Sequence, residues 1–115
     1  MAVTAQGSGT QTAVIGTEHT LLDVAVEGTF VLHVNTLNMA NLDVLELRVY
    51  QIILTGDTRE VAYFGSWSGV QPTDDRLKVS IPSSNELTDA GSLRYTLKQT
   101  FGTGRAFKWK VLKHV

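Results

Sequence analysis

Cysteine is absent from the 115 residues. That excludes a disulfide framework, a Cys-ligated zinc site, an iron–sulfur cluster and a cysteine nucleophile. It also leaves the redox compartment unread. A dominant charge sign is missing too. Ten basic residues face eleven acidic ones, for a formal net charge of −1. A strongly basic nucleic-acid binder is therefore not the default reading, and no nucleic-acid partner is expected. No apolar run approaches the roughly 18–20 residues that cross a bilayer. Residues 1–9 (MAVTAQGSG) have neither a charged start nor an apolar centre, so no secretory signal is expected. The expectation is a chain made in a cytosol, with no membrane partner. Nor does any segment sustain a 3.6-residue apolar repeat over ten residues.

What is present reads as strand. The length fits one domain with room for a core. The 43% hydrophobic content, with only 18% charged, argues against disorder. Residues 1–9 are small and polar and read as a flexible N-terminal arm, with the folded domain over 10–115. Thr12 to Ile15 is a short β-branched run. His19 to Val26 and Thr29 to Asn35 alternate about Glu27-Gly28 and read as a hairpin. Leu45, Leu47 and Val49 alternate with Glu46, Arg48 and Tyr50. After Thr55-Gly56-Asp57-Thr58 the chain returns through Val61, Tyr63 and Trp67, which reads as a second hairpin. Leu77 to Ile81 is short and stops at Pro82. Leu93, Tyr95 and Leu97, then Phe107, Trp109 and Val111, flank Gly102-Thr103-Gly104 and read as a third hairpin. About eight strands with frequent turns fit an all-β, antiparallel sandwich, jelly-roll-like rather than a meander.

Candidate chemistry is sparse. His19, His33 and His114 show no paired ligand spacing, and no metal or other cofactor is expected. Asp74-Asp75 is the one adjacent carboxylate pair, and it lacks the alternating oxygen ligands of a calcium loop. Gly102-Thr103-Gly104-Arg105 precedes a strand rather than a helix, so it reads as a turn and not a phosphate loop. No catalytic constellation emerges, and the chain is not expected to be an enzyme. Trp67, Tyr63 and Tyr50 suggest an aromatic platform for a sugar, against the plainer reading of rim or core packing.

Charge placement says more. Arg94, Lys98, Arg105, Lys108, Lys110 and Lys113 crowd the stretch after residue 93, which has no acid. If the last two strands are neighbours, Arg94, Lys98, Lys108 and Lys110 share one solvent face. That face would dock an acidic partner, or else would be a solvated face whose lysines guard a sheet edge.

The runs Leu45-Glu46-Leu47-Arg48-Val49, Ile53-Leu54-Thr55-Gly56 and Glu60-Val61-Ala62-Tyr63 carry a resemblance. So, most specifically, does the run from Leu97-Lys98-Gln99-Thr100 to Gly104-Arg105-Ala106-Phe107-Lys108-Trp109. Over roughly residues 18 to 113 the chain resembles the capsid cement, or decoration, proteins of short-tailed bacteriophages. The resemblance implies a jelly-roll-like structural protein on the outer surface of the virion capsid. It would bridge neighbouring subunits of the major capsid protein, self-associate as a homodimer, and have no enzymatic activity. Candidate capsid or dimer contacts are then Arg94, Lys98, Arg105, Lys108 and Lys110, with Gln11 and Thr12 at the end of the arm. The competing reading is a carbohydrate-binding module on a virion or tail surface, with Trp67 and Tyr63 holding the sugar.

Overall fold

The computed structural model describes residues 2–114. They form nine strands: β1 (Val3–Thr12), β2 (Glu18–Val24), β3 (Gly28–Asn35), β4 (Val44–Gln51), β5 (Glu60–Ser68), β6 (Leu77–Val79), β7 (Ser83–Asn85), β8 (Leu93–Phe101) and β9 (Ala106–His114). A single 3₁₀ turn covers Thr73–Asp75. The front sheet runs β1-β9-β3-β6, with β7 also paired to β3. The back sheet runs β2-β8-β4-β5. All pairings are antiparallel. Chain order swaps between sheets in the winding of a jelly roll.

β6 and β7 are two halves of one interrupted eighth strand beside β3. Pro82, which has no N–H to give a ladder, lies in the interruption. Ser80 bridges it. Its N–H donates to the Leu32 carbonyl at 2.9 Å, and its hydroxyl accepts the Leu32 N–H at 2.9 Å. A side chain thus takes the place of a missing ladder carbonyl.

The period-two patterns become the two inner faces. Phe30, Leu32, Val34, Phe107 and Val111 from the front sheet meet Val24, Leu45, Leu47, Val49, Leu93, Tyr95 and Leu97 from the back. These residues are nearly or fully buried. At about 25 cal/mol per Å² of apolar surface, their burial is the main favourable term.

Three expectations change. Residues 3–9 are not a flexible arm. They are most of β1, paired along β9 from Val3↔His114 to Thr12↔Ala106. Small residues hid the strand. The inner face of β1 offers Gly7 and Gly9 because Leu22 and Trp109 already fill the space above them. The run Ala13 to Ile15 then lies beyond the strand, in a connection. The two outer hairpins are not hairpins either. Glu27-Gly28 carries the chain from the back sheet to the front, and Gly102-Thr103-Gly104 does the same between β8 and β9. Only β4–β5 is a hairpin as read, in register from Val44↔Ser68 to Gln51↔Glu60 with one bulge.

In hydrogen exchange, β1 amides that pair with β9 should be protected well above random coil, whereas a flexible arm would exchange at the free rate. Ser80→Ala should cost about 1–3 kcal/mol in urea unfolding, because it leaves the buried Leu32 N–H unpaired.

Candidate functional site

The crossing from β8 to β9 sorts the basic residues onto two opposite faces. Two buried polar side chains hold it. The Gln99 amide donates to the Phe101 carbonyl at 3.0 Å and the Thr103 carbonyl at 2.7 Å, and accepts the Arg105 N–H at 3.1 Å. The Asp43 carboxylate accepts N–H bonds from Ala40 at 2.9 Å and Thr103 at 3.1 Å, and pairs with Arg105 at 2.8 Å. Its backbone carbonyl accepts the Gly69 N–H at 2.8 Å. Gly102 has φ 95° and lies against Asp43, where a Cβ would collide with the carboxylate. Burial pushes the Asp43 carboxyl up. The Ala40 N–H, Arg105 and the Thr103 N–H outweigh it and hold the carboxyl below its usual range.

The outer face of the back sheet neutralises itself. One row across it reads Glu18, Lys98, Glu46 and Ser66. A second reads Thr20, Thr96, Arg48 and Phe64. Arg94 grips Asp23 with two bonds, at 2.6 and 3.0 Å. Arg48 meets Glu46 at 2.9 Å and lies 4.8 Å from the Phe64 ring centre. Glu18 accepts from the Tyr50 and Thr96 hydroxyls, both at 2.7 Å. Burial raises its carboxyl, and these two bonds, with Arg48 and Lys98, bring it below the ordinary value. The Arg94 pair lowers Asp23 likewise. Glu18, Thr20, Tyr50, Arg59, Arg94 and Thr96 line a cleft of about 390 Å³ here. Its arginines are already engaged, Arg94 by Asp23 and Arg59 by the Gly91 carbonyl at 2.7 Å.

The outer face of the front sheet is different. Its five strands contain no Asp or Glu at all. One row reads Ser8, Lys110, His33 and Val79. The next reads Thr10, Lys108, Asn35 and Leu77. Each passes from hydroxyl to lysine to a polar ring or amide to an exposed apolar side chain. Lys108 and Lys110 are exposed and make no ion pair among the described residues. Leu77 and Val79 are 55% and 48% exposed. Burial lowers the His33 pKa, and Lys110 and His114 add in the same direction.

The expected contact residues therefore scatter. Arg94 and Lys98 lie on the back face, Lys108 and Lys110 on the front, and Arg105 is tied to Asp43 in the crossing. The single basic face across β8 and β9 does not exist, because the two strands belong to different sheets. Gln11 is half-buried on β1 and donates to the Thr12 carbonyl at 3.0 Å; exposed Thr12 pairs with Ala106. Trp67 and Tyr63 do not form an outward platform. They project inward from β5, packed against the core on either side of Gly65, with the Lys78 ammonium 5.3 Å from the Trp67 ring centre. Tyr50 is bound to Glu18. Val14 N–H donates to His19 Nε2 at 3.0 Å, and Asp75 pairs with Lys78 at 3.0 Å. Among the described residues, no three His, Asp or Glu side chains converge as metal ligands.

Ser8, Thr10, His33, Asn35 and Leu77 were not legible as a site. The available signal was the lack of acids in their segments, which gains meaning only once those segments share a sheet. Compared with known families, curated proteins and solved structures, the chain finds no match.

Asp43 generates a prediction with a definite sign. A carboxyl held low by folding adds stability above its unfolded pKa of about 3.9, and that stability is lost as pH falls through the folded value. Unfolding free energy should therefore fall below about pH 4. Asp43→Asn should cost about 2–3 kcal/mol at neutral pH and flatten that acid slope. An unchanged slope in the variant would show that Asp43 is not a source of it.

Proposed function

We propose that the protein is a structural virion component that binds the outside of an assembled phage capsid. There it bridges neighbouring major-capsid subunits. The observation that carries this reading is the contrast between the two broad faces. One is crossed by ion pairs and hydrogen bonds, with Lys98 set between Glu18 and Glu46 and with Phe64 exposed beside Arg48. The other is acid-free, with unpaired lysines beside exposed Leu77 and Val79. A face with complementary charge and an apolar part suits protein docking. The domain measures 41 × 32 × 19 Å, so a broad face is large enough for the roughly 800 Å² that each partner gives a standard interface. The resemblance in the β4, β5, β8 and β9 segments points the same way.

Self-association fits the open side of β1. That edge is ten residues long and has no charge and no proline, two of the devices that block edge pairing, and its ladder is irregular only between Ala5 and Gly7. Copies joined through β1 while docked on a lattice would add their affinities by multivalency. The carbohydrate reading loses its support with the inward placement of Trp67 and Tyr63.

The test is co-sedimentation with mature shells of the same phage, stripped of this protein. Saturable binding at a fixed ratio to the major capsid protein, with a higher shell disruption temperature, is expected. Absence of binding to intact shells would contradict the proposal.

A further inference from the structure

The two polar-to-apolar rows of the front face enclose a cleft of about 400 Å³, lined by Ser8, Thr10, His33, Asn35, Lys108 and Lys110, with Leu77 at one end and Gly9 and Trp109 also bordering it. We propose that this cleft docks an acidic segment of a partner polypeptide, its carboxylates on Lys108 and Lys110 and its apolar side chains on Leu77 and Val79. The inference deepens the capsid-docking reading and rests on it for the partner's location, though not for the partner's chemistry.

Three observations carry it. First, the charge is uncompensated: no strand of the front sheet supplies an acid, and neither lysine has an ion-pair partner among the described residues. Second, the buried Nδ1 of His33 makes no hydrogen bond among the described residues. A buried polar atom without a partner is costly, which marks His33 as a cleft side chain that its own sheet leaves unsatisfied. Third, the lysines stand between hydroxyls on one side and apolar side chains on the other. That sequence of surfaces matches a chain bearing both carboxylates and apolar residues. A phosphate backbone would call for a longer positive stripe and outward aromatic rings for stacking. Phe30 and Phe107 are core rings; Trp109 packs against the core and borders the cleft, a single ring rather than a row of stacking platforms.

His33 reports on occupancy. The charged groups near it are Lys110 and His114 from β9. β6 presents Val79 and Leu77, and β1 presents Ser8 and Thr10, all uncharged. A carboxylate in the cleft would oppose the lysine field, so the imidazole should titrate at higher pH when the cleft is filled.

The experiment is an NMR titration of the full chain with a short peptide of alternating Glu and Val. The same peptide with Lys for Glu, and a DNA duplex, serve as comparators. The Glu/Val peptide should shift the amides of β9, β3 and β1 around Lys108, Lys110 and His33, and raise the His33 pKa. K108E/K110E should weaken binding about tenfold or more, with unchanged thermal stability because both side chains are exposed. Ala62→Glu, on the outer face of the back sheet, should leave binding unchanged. Absence of peptide binding, shifts confined to the back sheet, or tighter binding of the duplex would overturn the inference. Failure of the capsid reading looks different. Peptide binding in this cleft by a protein that ignores shells would contradict the capsid reading and leave the cleft standing. Shell binding undiminished in K108E/K110E would support the capsid reading and overturn the cleft.

Discussion

The Asp43 carboxylate is closed off from water, and one end of the sandwich is built around it. It binds the β3–β4 connection through Ala40 and the β8–β9 connection through Thr103 and Arg105. Its backbone carbonyl holds Gly69 after β5. The stretch from Gly102 to Arg105 has the composition of a hairpin turn, yet β9 does not fold back beside β8. Braced by Asp43 and Gln99, the chain crosses to the other sheet, and β9 takes its place between β1 and β3. Everything electrostatic about the molecule depends on that crossing. It separates Lys108 and Lys110 from Arg94 and Lys98, and leaves the first pair on a sheet that has no carboxylate to answer them.

The two faces then obey different physics. On the back sheet, Glu18, Asp23, Glu46, Arg48 and Arg94 are bonded to an opposite charge or a hydroxyl, and Lys98 lies across from Glu18 and Glu46, so acids and bases balance on the face. Exposed pairs of this kind contribute little to stability, roughly 0–1 kcal/mol each. Their consequence is to make the face indifferent to a charged partner. On the front sheet, the lysines and the apolar pair at Leu77 and Val79 are left with water alone. The sandwich edges differ as well. Beside β5 and β6, Lys78 turns inward, binds Asp75 and covers Trp67, which closes that side. At the other side β1 is long, uncharged and open.

The sequence made the fold class legible and hid the connectivity. Strict alternation in β4, β5, β8 and β9 marks strands half-buried on one face, and the β4–β5 turn follows from it. β1 was hidden because Gly7 and Gly9 leave it without apolar alternation; its inner face is filled by Leu22 and Trp109 reaching over from other strands. The β8–β9 crossing had one mark. Gln99 breaks the apolar parity set by Leu93, Tyr95 and Leu97, yet is fully buried, since its amide braces the chain that leaves the sheet. A polar residue in a core position signals a task for its hydrogen bonds. The front-face rows were unreadable because they join residues more than seventy positions apart, such as Asn35 with Lys108. Only the strand order brings them together.

The most direct measurement is a cryo-electron microscopy map of reconstituted shells carrying the protein, resolved well enough to orient the two sheets. The β1-β9-β3-β6 face should lie against the shell, with the β2-β8-β4-β5 face turned to solvent. A map with the back sheet against the shell and Lys108 and Lys110 facing solvent would contradict it.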